Sequence, residues 1–306
     1  MQPTTNAHTH LELSDLAHLC PTEPQPFFTW LRRLIWALLW RRKESVAAAI
    51  QRGIAELHAC GTTHVGDITA TWQSVEPLLA SGLRGVVYLE VSGLKREPAL
   101  ARLAQAKTRI LQARARPNHG PMQVGLSLHA PYSCHPDLLR EGAAWCQAQE
   151  IPLCIHVAES PLESEWLTKG RLSSLSWPEK LLAKGLGLRP SRSPRQRPVS
   201  YLAALGILDA RPLLVHAVQV TDVEIAQIAA AGCAVAHCPR SNQRLSCGRL
   251  PLEDTLAAGI PVYLGTDSLA SSPSLNVHDE AAYAQELHAG HVAPERIQQL
   301  LHRTLP

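Results

Sequence analysis

The chain has 306 residues, 45% of them hydrophobic and 18% charged, with a formal charge of +3. That length suits one large domain over residues 1–306, since a β/α barrel typically needs about 250 residues. The charge is too mild to argue for a nucleic-acid partner: the basic residues are scattered apart from Arg32, Arg33, Arg41, Arg42 and Lys43, read as a solvated helix face, and Arg189, Arg192, Arg195 and Arg197, read as a solvated loop.

The chain opens on Met1-Gln2-Pro3-Thr4-Thr5 with no basic segment ahead of an apolar core, so a cytoplasmic protein is the expectation. Eight irregularly spaced cysteines without a Cys-x-x-Cys pair argue against a disulfide framework or a zinc finger, and for reduced, mostly buried thiols. The most apolar helical stretch, Phe27 to Trp40, is interrupted by Arg32 and Arg33 and is too short to span a bilayer. No membrane partner is expected, although lining a pocket and touching a membrane surface both stay open for Trp30, Trp36 and Trp40; helix packing is favoured for the last two.

Short apolar runs alternate with longer helical ones, as in repeated βα units. The candidate strands are Thr4 to His10, Thr62 to Asp67, Gly85 to Val91, Val124 to His129, Leu153 to Val157, Leu213 to Val218, Ala234 to Cys238 and Val262 to Asp267. Between them Glu44 to Ala59, Pro98 to Arg114, Pro136 to Gln149, Asp222 to Ala231 and Leu252 to Ala258 carry apolar residues at spacings of three and four. Several stop at a glycine, as at Gly61, Gly232 and Gly259. Eight parallel strands alternating with helices close into a (β/α)8 barrel, because each crossover is right-handed and no edge is left open. A doubly wound open sheet would gather its polar strand ends at one switch point, whereas here they occur at nearly every strand. Gly185 to Pro198 reads as an exposed loop.

Those polar ends carry the chemistry. His8 and His10 are two apart, so on a strand they point to one side and can bind one metal ion at roughly 2.0 to 2.1 Å. His156 ends the run Leu153-Cys154-Ile155 and is followed by Glu159, a candidate ligand with a proton carrier close behind. His216 and Asp267 end the sixth and eighth runs in the same way. Any one of these is explained as well by a hydrogen-bonded buried polar group. Four strands with a costly polar group at the same end point instead to the active-site face of a barrel, and to a metal-dependent hydrolase.

Five segments extend the pattern: Asn6-Ala7-His8-Thr9-His10-Leu11-Glu12, His129-Ala130-Pro131-Tyr132-Ser133, His156-Val157-Ala158-Glu159-Ser160, His237-Cys238-Pro239-Arg240-Ser241-Asn242 and Gly265-Thr266-Asp267-Ser268-Leu269-Ala270-Ser271. In this order they resemble the amidohydrolase superfamily from about Asn6 to about Asn276, most of all its cytosine deaminase and chlorohydrolase-like branch and, within it, the aminodeoxyfutalosine deaminases. The resemblance implies that His8, His10, His156 and Asp267 bind one divalent metal ion, zinc or iron. It further implies that His216 hydrogen-bonds the water bound there or the substrate, that Glu159 shuttles a proton to the ring nitrogen and then to the leaving amine, and that Asp267 takes the water's proton. His129 matches a substrate-contact position. Two-metal members bridge their ions with a lysine at the end of the fourth strand, and Val124 to His129 contains none, so one metal is favoured. His10-Leu11-Glu12 also fits the His-x-Glu of the unrelated nucleobase deaminases, but no Pro-Cys-x-x-Cys follows.

The implied function is a hydrolytic deaminase of an aminated purine nucleoside or related heterocycle, acting on a C–N bond other than a peptide bond. The rivals are a chlorohydrolase or amide or amine hydrolase of the same fold, and an inactive, truncated metal-binding homologue. A small-molecule heterocycle is the expected partner and a homodimer the candidate assembly. The small β-sandwich that flanks the barrel in relatives is expected to be missing. Among other residues, Glu90 is a candidate for a substrate hydroxyl or a loop cap, and Trp30 for the pocket cover. Arg240, Ser241, Asn242, Ser268 and Ser271 are candidates for substrate contact or turn chemistry, and His237 for the pocket or the core. His288 and His291, placed on the last helix, are expected at the surface.

Overall fold

Eight parallel strands follow one another around a single sheet in chain order. They are β1 (Thr5–Thr9), β2 (His64–Thr69), β3 (Arg84–Val91), β4 (Met122–Leu128), β5 (Leu153–Val157), β6 (Leu213–His216), β7 (Ala234–His237) and β8 (Val262–Leu264). The computed structural model describes residues 2–116, 120–185 and 193–305. The sheet closes where the Asp267 N–H donates to the His8 carbonyl at 3.0 Å and Thr9 forms a parallel bridge to Asp267. This is a (β/α)8 barrel, and among the described residues it is the only sheet.

The strands are buried on both sides because their residues alternate between two cores. Ala7, Val86, Tyr88, Cys154 and Val215 fill the interior, while Val65, Val87, Leu126, Ile155 and Val235 pack outward against helices. Gly66 lets β1 and β2 approach, since a Cβ there would lie 2.2 Å from the Ala7 carbonyl oxygen.

The surrounding helices are α1 (Phe27–Leu39), α2 (Lys43–Ala59), α3 (Val75–Ala80), α4 (Arg96–Arg114), α5 (Pro136–Gln149), α6 (Pro161–Lys169) and α7 (Trp177–Gly185). They continue with α8 (Pro198–Ala204), α9 (Asp222–Ala231), α10 (Pro239–Arg244), α11 (Leu252–Ala257), α12 (Val277–Leu287) and α13 (Pro294–Leu300). The five helices expected from periodicity are all present, and α9 shows why. Thr221 and Glu224 form a reciprocal capping box at its start, and Gly232 in the left-handed conformation ends it. All eight cysteines are free thiols, six of them buried. No helix among the described residues is long and apolar enough to cross a membrane.

Several expectations are corrected. Trp36 and Trp40 do not pack into the body of the protein: they are 65% and 74% exposed. His288 is fully buried, and it caps α12 rather than lying on the last helix; only His291 is at the surface. The end of the supposed exposed loop is anchored, because Arg197 forms an ion pair at 2.6 Å with the buried Glu224. Arg189 and Arg192 lie outside the described residues.

Candidate active site

The candidate ligands converge because each stands at the C-terminal end of its strand. His8 lies in β1 with His10 just beyond it, His156 in β5, His216 at the end of β6, and Asp267 after β8. Ala158, His216, Ala217 and Asp267 have φ of 52°, 72°, 49° and 62°. Such left-handed backbone costs an L residue roughly 1–2 kcal/mol, and it turns strand into loop so abruptly that the side chains face the barrel mouth. Gly265 lets β8 approach, since a Cβ there would sit 2.8 Å from His8 Cβ.

One ring nitrogen from each of His8, His10 and His156 lies within 4.8 Å of the others. His156 Nδ1–H donates to the His129 carbonyl at 2.9 Å, so its Nε2 presents a lone pair, and this faces His10 Nε2 at 3.3 Å. Asp267 Oδ1 lies 3.5 Å from His8 Nε2 and 3.7 Å from His10 Nε2. Its Oδ2 accepts hydrogen bonds from Ser241 Oγ at 2.6 Å and Ser271 Oγ at 2.8 Å, which aims Oδ1 at the histidines. Burial, then the charge of His8, pushes the His10 pKa down to about 3, and the same causes hold His156 well below its usual value. Burial acts to raise the Asp267 carboxyl, but the facing His8, His10 and His216 hold it well below the usual range. Neutral imidazoles and an ionised carboxylate are the protonation states that a metal requires.

His8 provides the test of fit. Both of its ring nitrogens are buried with no hydrogen-bond partner, a costly arrangement unless something else engages them. A cation among three imidazoles and a carboxylate would engage Nε2, the His8 nitrogen that faces Asp267, and this donor set fits one divalent metal ion.

Beside this cluster His216 Nδ1–H donates to Asn242 Oδ1 at 2.9 Å, leaving Nε2 3.5 Å from Glu159 Oε1. Glu159 is turned into the cavity by Glu163, whose buried carboxylate accepts from the N–H groups of Ala158 at 3.1 Å and Glu159 at 2.9 Å. Burial, with the carboxylates of Asp267 and Glu163, raises Glu159 well above the usual range and makes it a proton donor.

These groups floor a cavity of about 700 Å³, within the size of small-molecule sites. Trp30, Leu31 and Leu34 of α1 form an apolar wall, with Glu90, His129, Tyr132 and Ser268 elsewhere on the lining. Trp30 is held by its Nε1–H donating to the Ala270 carbonyl at 2.7 Å, and the His129 ring by Ser133 Oγ at 2.5 Å. Burial raises the Glu90 carboxyl.

Two sequence candidates fall away from the cavity. Arg240 is committed to the buried Glu280 at 2.6 Å and to Asp279 at 3.2 Å, so it anchors a loop instead of facing substrate. His237 is fully buried against His288, with Nε2 atoms 3.2 Å apart, so the core reading holds. Ser241, Ser271 and Asn242 orient Asp267 and His216. The sequence reading missed Glu163, for which Glu159-x-x-x-Glu163 was the available signal. It also missed Glu12, whose carboxylate accepts from the Ala70 and Thr71 N–H groups, both at 3.0 Å, and gathers a cavity-lining loop.

The sequence profile of the amidohydrolase family matches residues 4–300. The aminodeoxyfutalosine deaminase of Deinococcus radiodurans is 38% identical over 296 residues, covering 94% of this chain and 68% of that protein. The 5-methylthioadenosine/S-adenosylhomocysteine deaminase of Nitratidesulfovibrio vulgaris is 30% identical, covering 94% of this chain and 60% of its own. Among solved structures, a zinc-bound adenosine deaminase from Xanthomonas campestris superposes with a TM-score of 0.75 at 25% identity, covering 94% of this chain and 60% of that one. The chain thus spans between 60% and 68% of the length of these relatives.

Proposed function

The chain belongs to the amidohydrolase family, and from that premise we propose that it is a metal-dependent deaminase of an aminated purine nucleoside. His8, His10, His156 and Asp267 would hold one divalent ion, which when bound supplies Lewis acidity and lowers the pKa of water toward about 7. Asp267 Oδ1 accepts the proton of the attacking water. Glu159 gives its proton to the ring nitrogen beside the amine-bearing carbon, then takes the proton of the newly added hydroxyl and passes it to the amine, which leaves as ammonia. The proton held by Asp267 restores Glu159 for the next turnover. His216, fixed by Asn242, orients the water through Nε2. Glu90, which lines the cavity with His129, Trp30 and Ser268, would take a substrate hydroxyl.

The observation that carries this reading is the placement of two carboxyl groups on one cavity, each fixed independently. Glu163 turns Glu159 inward through the backbone, and two serines aim Asp267 at the imidazoles. A merely metal-binding protein has no use for the first. The relatives named as nucleoside deaminases and a cavity of about 700 Å³ support a substrate of nucleoside size.

The test is ammonia release from a panel of amino-purine nucleosides by protein loaded with zinc or iron. Turnover is expected, and Glu159→Gln should reduce it by about 10²–10⁴-fold with the metal still bound. Because the raised Glu159 carboxyl acts as the acid, activity should fall as pH rises through its pKa. Ammonia from no member of the panel sinks the deaminase reading; chloride or alkylamine release would assign the site to a sister hydrolase, and bound metal without any turnover to an inactive homologue.

A further inference from the structure

Trp72 stands behind the cavity wall while its neighbours form it. Ala70, Thr71 and Gln73, on the loop between β2 and α3, line the cavity, as does Glu90 near the end of β3. The Trp72 ring lies in the core between sheet and helices and is 9% exposed. Its backbone is left-handed, at φ 65°. A bulky residue rarely adopts that region, and keeps it only where its surroundings hold it there.

What holds it is a set of directed contacts. The ladder between β2 and β3 runs only to the pair Thr69 and Leu89, whereas β3 continues beside β4 to Val91 and Leu128. The Val91 carbonyl accepts from the His129 N–H at 3.1 Å on the β4 side. Backbone groups of successive strand residues face opposite neighbours, so the Glu90 carbonyl faces the side where β2 has already ended. Trp72 Nε1–H donates to it at 3.0 Å, in place of the missing strand. The guanidinium carbons of Arg102 and Arg109, about two turns apart on α4, each lie 4.7 Å from the indole centroid, a cation–π distance. Arg102 also donates to the Ala70 carbonyl at 2.6 Å. From the cavity side Glu12 accepts the Ala70 and Thr71 N–H groups, so the loop is held on both faces.

We propose that Trp72 is a positioning residue for substrate selection: its indole N–H fixes Glu90 in the cavity, and so sets the preference for a nucleoside that carries ribose hydroxyls over one that lacks them. The inference rests on the reading of Glu90 as the partner of a substrate hydroxyl. Packing alone would be served by any large ring, but the Glu90 carbonyl needs a donor, and a buried carbonyl without one is costly. A shift of this backbone carries the Glu90 carboxylate with it, and a hydrogen bond weakens once its heavy atoms leave a range of about 2.7–3.2 Å. Glu90, Arg102 and Arg109, the partners of Trp72, are not among the four candidate metal ligands. The effect of Trp72 therefore falls on binding rather than on turnover.

Steady-state kinetics on the metal-loaded chain test this with an amino-purine ribonucleoside and its 2′,3′-dideoxy counterpart. Trp72→Phe keeps a ring beside the guanidiniums and removes the N–H. It is expected to raise KM for the ribonucleoside by about 5- to 10-fold with kcat unchanged, and to leave the dideoxynucleoside unaffected. In a Glu90→Gln background the same change should cost little more, because both act through one contact. Equal losses on the two nucleosides, a fall in kcat, or a full additional loss in the Glu90→Gln background would each reduce Trp72 to packing and overturn the proposal. Should Trp72→Phe fail to fold, Arg109→Gln, at an exposed position, is expected to show the same split at about 2-fold, and no split overturns it. Calorimetric binding of the two nucleosides repeats the comparison without turnover. A chain that releases no ammonia loses the deaminase reading while Trp72 is still judged by the change in its ribose preference. An unchanged preference sinks the role of Trp72 and leaves the deaminase reading standing; a chain that binds neither nucleoside loses both.

Discussion

Two buried histidine clusters occupy the same barrel and look alike in distance. At the mouth His10 and His156 bring their Nε2 atoms to 3.3 Å; outside the sheet, between β7 and the end of α12, His237 and His288 bring theirs to 3.2 Å. The second is explained by its neighbours. Arg249 donates to His288 Nδ1 at 2.8 Å, so His288 Nε2–H is free to donate to His237, and Glu253 holds Arg249 at 2.8 and 2.5 Å. At the mouth, among the described residues, no lysine or arginine hydrogen-bonds these imidazoles, and a carboxylate faces them instead. Close imidazoles alone do not mark a metal centre. Lone pairs aimed at one point, with a carboxylate aimed there too, do.

The largest effect should come from His8→Ala, which removes the imidazole with no hydrogen-bond partner. Elemental analysis is expected to fall from about one ion per chain to almost none, with activity lost. The same measurement on His237→Ala should find the metal retained, and equal metal loss in both would erase the distinction. Next in size is Ser271→Ala, which frees Asp267 Oδ2 from one of its two donors. Weakening of metal affinity by about 10–100-fold is expected, read by competition with a chelator; no change would mean that Ser241 alone orients the carboxylate.

The smallest is His288→Leu, expected to lower unfolding free energy by about 1–3 kcal/mol through the loss of the acceptor that His288 offers Arg249, with metal content unchanged. Burial lowers the His288 pKa from 6.5 to about 4. Its contribution is therefore complete above pH 6.5 and is lost as pH falls through about 4, because the unfolded chain takes up the proton first. The difference in stability between wild type and variant should shrink over that window in denaturant titrations; a constant difference would place the lowered pKa elsewhere.

Much of the architecture was legible because its cause is local. Alternation of period two and three-to-four spacing fix where strands and helices form, and α5 and α9 have the bounds expected from periodicity alone. Shorter pieces such as α3, α6 and α10 escaped, since six to nine residues carry too few turns to show a period. In the site, His8, His10, His156, His216, Glu159 and Asp267 were visible as polar groups at strand ends, and the barrel brings all six onto one cluster. The supporting groups were not visible, because a serine that orients a carboxylate reads the same as a serine in a turn.

The sequence by itself therefore determined the barrel, the family, and the six chemical groups at its mouth, since periodicity and strand-end polarity are properties of neighbouring residues. Only the tertiary structure decided which way the remaining polar side chains face. Arg240 turns outward because Glu280 lies there, forty residues on. His288 goes inward because Arg249 and His237 meet it, and Trp36 stays outside because the inner face of α1 is already filled. Each of these directions depends on a partner distant in the chain, and pairing across such distances exists only once the barrel has closed.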